Sequence, residues 1–210
     1  MKLVSFGCSF IAGNDLADDR RPTTIKTLYN PSLSTWPALI SDRLGFEYSS
    51  RALAGIGNLR ILESIIEESA TATDSFFVIG WSWIDRFDYT TVDDNWKTLR
   101  PTVDTLEADQ YYRNLHSQYR DKLTSLIHIR SAIDVLQQKN IPFVMTYMDE
   151  LIFETKWHCN PAIVELQDYI RPYLTTFDGN SFLDWSKKLG FPISKNLHAT
   201  FLKNSPHIWS

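Results

Sequence analysis

Residues 2–10 read KLVSFGCSF, and the fold turns on how they are read. The run 2–7 is apolar, short and ended by glycine, the pattern of a buried strand, with Cys8 and Ser9 immediately behind the break. A buried opening strand followed at 34–45 by STWPALISDRLG, a helix-like segment, describes the start of a crossover unit. In that segment Ser34 is the cap candidate, Pro37 sits in the first turn, Trp36, Leu39, Ile40 and Leu44 stand at helical spacing, and Gly45 is the stop. The polar stretch between them, 14–30, with its charge run DLADDRRP, reads as a loop or lid.

The alternation continues outward. Residues 46–53 (FEYSSRAL) are a second strand candidate, and after AGIGN the positions Leu59, Leu62, Ile65 and Ile66 mark a helical face. SFFVIGWSW, 75–83, is the most strand-like run in the chain. Residues 85–118 lack a clean period and predict a capping insertion. Tyr119, Leu123, Leu126, Ile129, Ile133 and Leu136 step by three and four as an amphipathic helix, IPFVMTYM at 141–148 is a fourth strand, and the region of Phe182 and Leu183 a weak fifth. Strands separated by helices pair in parallel through crossovers, so the expectation is one α/β domain over 1–210: a three-layer α/β/α sandwich with a mostly parallel, doubly wound, flavodoxin-like sheet of about five strands.

Composition narrows the function. A net charge of -4 argues against a nucleic-acid binder, which needs an excess of Lys and Arg to neutralise phosphates. Two cysteines, Cys8 and Cys159, stand in no ligand spacing, so neither a disulfide framework nor a metal site is expected, and His158-Cys159 lacks a second ligand pair. The N-terminus is too short in apolar residues for a signal or a membrane span, which predicts a soluble, cytoplasmic protein without membrane partners.

Ligands of open parallel sheets sit beyond the carboxyl ends of the strands. Three breaks of small residues fall there: Gly7-Cys8-Ser9, Gly55-Ile56-Gly57-Asn58 and Gly80-Trp81-Ser82. Ser9 at the first break is either a cap residue at a tight turn or a nucleophile beside free backbone N–H groups. Cys8 is either a small buried side chain or, more remotely, the nucleophile itself. Gly55 and Gly57 are a tight turn, a close approach of backbone N–H to the same point, or a phosphate cradle at a helix start. A serine needs a base, and His198 and His207 follow the last strand candidate, while His128 lies inside the amphipathic helix. Trp81, Trp83, Trp157, Trp185 and Trp209 are core or rim aromatics, with carbohydrate stacking as the alternative.

GCSF after the first strand, AGIGN after the second, Gly80-Trp81-Ser82 after the third and a late His resemble the four ordered sequence blocks of the SGNH, or GDSL-type, hydrolases. More narrowly, SFGCSFIAG, SRALAGIGNLRI and FLDWSKKLGFPISKNLH are similar to small SGNH-like proteins of tailed phages and bacteria, which adds the host cytoplasm or a virion as locations. The resemblance implies hydrolysis of a small-molecule or glycan ester, often acetyl on a sugar, by a serine without metal or cofactor. It implies Ser9 as nucleophile and oxyanion donor, Gly55 as the second donor, and Asn58 or Ser82 lining the same hole, Ser82 standing where the family has Asn. It implies His198 as base, with Asn196 where the family has Asp. Asn holds an imidazole but brings no carboxylate, and in a serine-protease triad the comparable change lowers turnover about 10⁴-fold. His207 as a second histidine and Asp184 or Asp178 as a spatial substitute complete the set. The rival from another class is a binding or virion protein that keeps the fold without the chemistry; a phosphate-binding flavodoxin-like protein would need no His198.

Overall fold

A computed structural model describes residues 1–14, 16, 32–156 and 158–189. In chain order it contains β1 (Lys2–Gly7), α1 (Ser9–Ala12), α2 (Trp36–Leu44), β2 (Glu47–Ser50), α3 (Asn58–Ser69), β3 (Ser75–Trp81), β4 (Phe87–Thr90), β5 (Trp96–Leu99), α4 (Leu106–Asn114), α5 (Gln118–Gln138), β6 (Phe143–Tyr147), α6 (Pro161–Ile170) and α7 (Phe182–Lys188). A four-stranded parallel sheet runs β2-β1-β3-β6, and β4 and β5 form a separate antiparallel hairpin.

The period-2 geometry of the strands sorts the layers. Val4 and Phe6 of β1, Phe77, Ile79 and Trp81 of β3, and Met145 and Tyr147 of β6 join one buried cluster with Ile61 and Ile65 of α3, Leu126, Ile129 and Ile133 of α5, and Ile163 and Ile170 of α6. The alternate positions face the other layer, where Gly7 lies against Ile11 of α1, the Ser5 hydroxyl bonds Tyr48, and Trp36 of α2 meets Phe182 of α7. Helices on both faces of a parallel sheet make the expected doubly wound sandwich. The chain leaves β1 toward β2 on one side and resumes at β3 on the other, so the reversal point, where open parallel sheets bind their ligands, lies between β1 and β3.

The sheet has four strands among the described residues rather than about five. Past β6, Leu174 makes one isolated parallel bridge to Met145, and the stretch around Phe182 is the helix α7. Ser181 starts that helix by accepting the Asp184 N–H, a cap that makes a helix where a weak fifth strand was expected. Two helical faces also differ from the spacing. In α2 the cap is Thr35 rather than Ser34, and the small residues Pro37, Ala38 and Ser41 face inward while Leu39 is 53% exposed. In α3 the inward face is Ile61, Leu62 and Ile65, with Leu59 and Ile66 turned out. Most of 14–30 lies outside the described residues. No helix among the described residues is long and apolar enough to cross a membrane.

Candidate active site

Strand register brings the three breaks together. Gly7 pairs with Gly80, and the Leu53 N–H donates to the Gly7 carbonyl at 3.0 Å. Ser9 and Ser82 each follow that paired level by two residues, and Gly55 follows Leu53 by two, so the three breaks leave adjacent parallel strands at the same end of the sheet. Close packing holds the first exit. A Cβ on Gly7 would lie 2.5 Å from Ile11 Cγ1 and 2.8 Å from the Gly80 carbonyl oxygen, so two glycines let Ile11 pin the short turn of α1 onto the sheet. Cys8 is fully buried beneath this turn, and Ser9 is half-exposed at its start.

The second exit is held from outside the sheet. Asp88 of β4 accepts the Gly57 N–H at 2.8 Å through Oδ1 and the Arg60 N–H at 2.9 Å through Oδ2, while Thr98 of β5 donates to the same carboxylate at 2.6 Å. Burial raises the Asp88 carboxyl above the usual carboxylate range against the pull of these bonds. Two N–H groups at the start of α3, those of Gly57 and Arg60, are thereby occupied by a protein carboxylate, which counts against the phosphate-cradle reading of AGIGN. Arg86 donates to the Ile56 carbonyl at 2.9 Å and lies over the Trp83 ring, which in turn meets Phe10 beside Ser9. Gly55 has φ +82°, and a Cβ there would lie 3.0 Å from Arg100 Nη1. The residues expected as an insertion, 85–118, thus contain the hairpin and α4, and through Asp88, Arg86 and Arg100 they wall the turn after β2.

The third exit is tied to the second. The Asn58 side chain accepts the Ser82 N–H at 2.8 Å and donates through Nδ2 to the Ser82 carbonyl at 3.3 Å and to Ser125 Oγ of α5 at 3.2 Å. Both residues are almost fully buried, and the Ser82 hydroxyl has no partner among the described residues. Asn58 and Ser82 thus clamp the exits of β2 and β3 together: both Nδ2 hydrogens of Asn58 are engaged, and the Ser82 hydroxyl is closed off from solvent. Trp81 is likewise a core residue, its indole N–H directed at Met145 sulfur. Trp185 stacks on Phe177.

His198, Asn196, His207, Trp157 and Trp209 lie outside the described residues. Asp184 is engaged inside α7, accepting from Lys187 at 2.8 Å and from the Ser181 hydroxyl; burial opposes its charge, but these bonds prevail and hold its carboxyl below the usual range. Asp178 is an exposed turn residue with φ +52°. His128 is half-buried on α5, where burial lowers its imidazole to about 4.

The wall carries groups that sequence pattern did not single out. Asp85, next to Asp149, Arg86, Asp121 and His116, has its carboxyl raised to about 7, first by burial and then by Asp149. Asp149 at the end of β6 accepts the Ile84 and Leu151 N–H groups, and its carboxyl is raised by burial. His116 Nε2 lies 2.7 Å from Asp121 Oδ2 without the alignment of a hydrogen bond, and Arg120 binds the other oxygen at 2.5 Å. These residues sit in the aperiodic segment or at element ends, where no periodic signal marks them.

Known structures share this architecture. AlinE4, an SGNH-hydrolase family esterase, superposes with a TM-score of 0.51 at 12% identity, over 97% of this chain and 92% of that one. A member of the lipolytic G-D-S-L family from Veillonella parvula gives 0.47 at 10% identity, over 100% and 98% of the two chains. An acetyl xylan esterase from the rumen bacterium Butyrivibrio proteoclasticus gives 0.47 at 12% identity, over 91% of this chain and 65% of that one. No protein-family profile and no curated protein matches the chain. At these identities the likeness is one of fold: the chain has the α/β/α arrangement of the SGNH esterases.

Proposed function

We propose that the protein is a serine esterase-like hydrolase acting on a small acyl ester, with O-acetyl on a carbohydrate as a candidate substrate. What supports the reading is topology: Ser9, partly exposed, and Gly55 follow the ends of neighbouring parallel strands at the same end of the sheet. Ser9 Oγ attacks the acyl carbon, and the N–H groups of Ser9 and Gly55 hold the oxygen that gains charge. His198, oriented by Asn196, takes the serine proton and passes it to the leaving alcohol. Water then cleaves the acyl-enzyme by the reverse sequence. In this scheme Asn58 and Ser82 tie the exits of β2 and β3 together beside the oxyanion site.

A second reading has a specific observation behind it. With Ser82 sealed and Asn196 in place of a carboxylate, the fold would serve as a binding or virion-associated protein without turnover. A fluorophosphonate probe separates the two, followed by intact mass on the protein and on its Ser9→Ala and His198→Ala variants. Stoichiometric labelling that disappears in both variants is the expected result. A folded protein that takes up no probe rejects the esterase and leaves the binding protein.

A further inference from the structure

Arg100 is out of place for a structural arginine. Its guanidinium lies against Gly55, with Nη1, Cζ and Nε all within 4 Å of where a Cβ would be, so glycine at this position is what admits it. It is half-buried, yet it makes no side-chain hydrogen bond and no ion pair with any described residue. The neighbours that act on it electrostatically are a second cation, Arg86, and the Tyr112 hydroxyl, with no carboxylate among them. By contrast, Arg86 has a carbonyl partner, an aromatic face and two nearby carboxylates, Asp85 and Asp149. Arg60, Arg113, Arg120 and Arg130 all face acidic side chains. An arginine held beside another cation, partly desolvated and without a counter-charge, is unfavourable in the free protein unless an anion completes it.

We infer that Arg100 forms an anion subsite beside Gly55, so that the ester delivered to Ser9 carries a carboxylate or phosphate group next to its acyl centre. The inference rests on the site reading above and adds the substrate's charge to it. Arg100 would take the anion in a two-pronged bond, which a planar guanidinium offers and an ammonium does not. Arg86 would add long-range attraction while its own bond to Ile56 keeps the Gly55–Gly57 turn in place. Asp85 and Asp149 lie on the Arg86 side and neutralise that cation rather than Arg100.

The test is calorimetric titration of inorganic phosphate, and separately of succinate, at low salt and pH 7.5. It uses the wild-type chain and the variants Arg100→Gln, Arg100→Lys and Arg130→Gln, each checked for fold by circular dichroism. Phosphate saturates one site per wild-type chain and slows fluorophosphonate labelling of Ser9. Binding weakens roughly 10- to 100-fold in Arg100→Gln, the loss expected for a charged hydrogen-bonded contact, falls less in Arg100→Lys, and is unchanged in Arg130→Gln. Succinate binding as well as phosphate marks a carboxylate ester, and phosphate alone marks a phosphorylated one. The absence of saturable binding of either anion, or equal affinity in Arg100→Gln, overturns the subsite. The two readings fail separately: labelling without anion binding removes the subsite and keeps the esterase, and anion binding without labelling does the reverse.

Discussion

Asn58 shows how much one side chain can decide here. Its amide closes three bonds, two to the backbone of Ser82 and one to Ser125, and thereby joins the exits of β2 and β3 to α5. Replacement by Ala leaves the buried Ser82 N–H and carbonyl without partners. Asn58→Ala is expected to lower stability by about 2–4 kcal/mol, read as a shift in urea midpoint at constant slope. Gly7 is less forgiving, because the atoms in the way include a backbone carbonyl of β3 that cannot move without the sheet. Gly7→Ala, at φ +151°, is expected to lose at least about 3 kcal/mol and with it most soluble expression. The breaks that carry Ser9 and Gly55 were legible at this scale, since a glycine or small residue closing an apolar run is a local signal. Arg100 was not legible, because the feature that marks it is its contact with Gly55, and nothing in its own neighbourhood, TLRPT, announces that contact.

Among the elements, the hairpin of β4 and β5 has the least predictable role. Its Asp88 supplies the N-terminal cap of α3, whose own cap residue, Gly57, has no side chain to offer. Asp88→Ala is expected to cost about 2–3 kcal/mol and to speed amide hydrogen exchange at Gly57 and Arg60 well before the centre of α3. Exchange unchanged at those two amides would mean that the hairpin does not hold the turn. The strands β1, β3 and β6 and the helix α5 were readable because burial on both faces writes a continuous apolar run and an amphipathic helix writes a period of 3.6. The segment 85–118 was readable only as aperiodic, since a short hairpin built around Asp, Thr and aromatics has too few buried positions to show alternation. The helix α7 was missed because its cap, rather than its period, is its signal.

For the molecule as a whole, buried ionisable groups set opposite pH responses. Asp85 keeps its proton to about 7 in the folded chain but releases it near 3.8 when unfolded. The native state therefore binds the extra proton in between, and stability falls as pH rises through that window; Asp88 and Asp149, also raised, act with the same sign. His128 does the reverse. Its imidazole takes a proton near 6.5 unfolded and only at about 4 folded, so stability falls as pH drops through that range. Accordingly Asp85→Asn is expected to raise the urea midpoint at pH 8 and hardly at all at pH 4, and His128→Leu to raise it at pH 4.5 and hardly at all at pH 8. Parallel midpoints for wild type and either variant across pH 4 to 8 would rule out the corresponding group.

What the sequence determined by itself was the alternation of strand and helix, the order of the main elements and the three small-residue breaks at strand ends. Each of these depends on a local period or on a residue a few positions away. Which breaks face one another, and what stands over them, was decided by the tertiary structure. The Asn58 bond to Ser125 spans 67 residues and the Asp88 bond to Gly57 spans 31, while Arg100 reaches Gly55 from the far end of a hairpin. The first two form because a buried amide or carboxylate must find a partner wherever the packed layers place it, the third because the hairpin carries Arg100 there, and no spacing along the chain encodes where that will be.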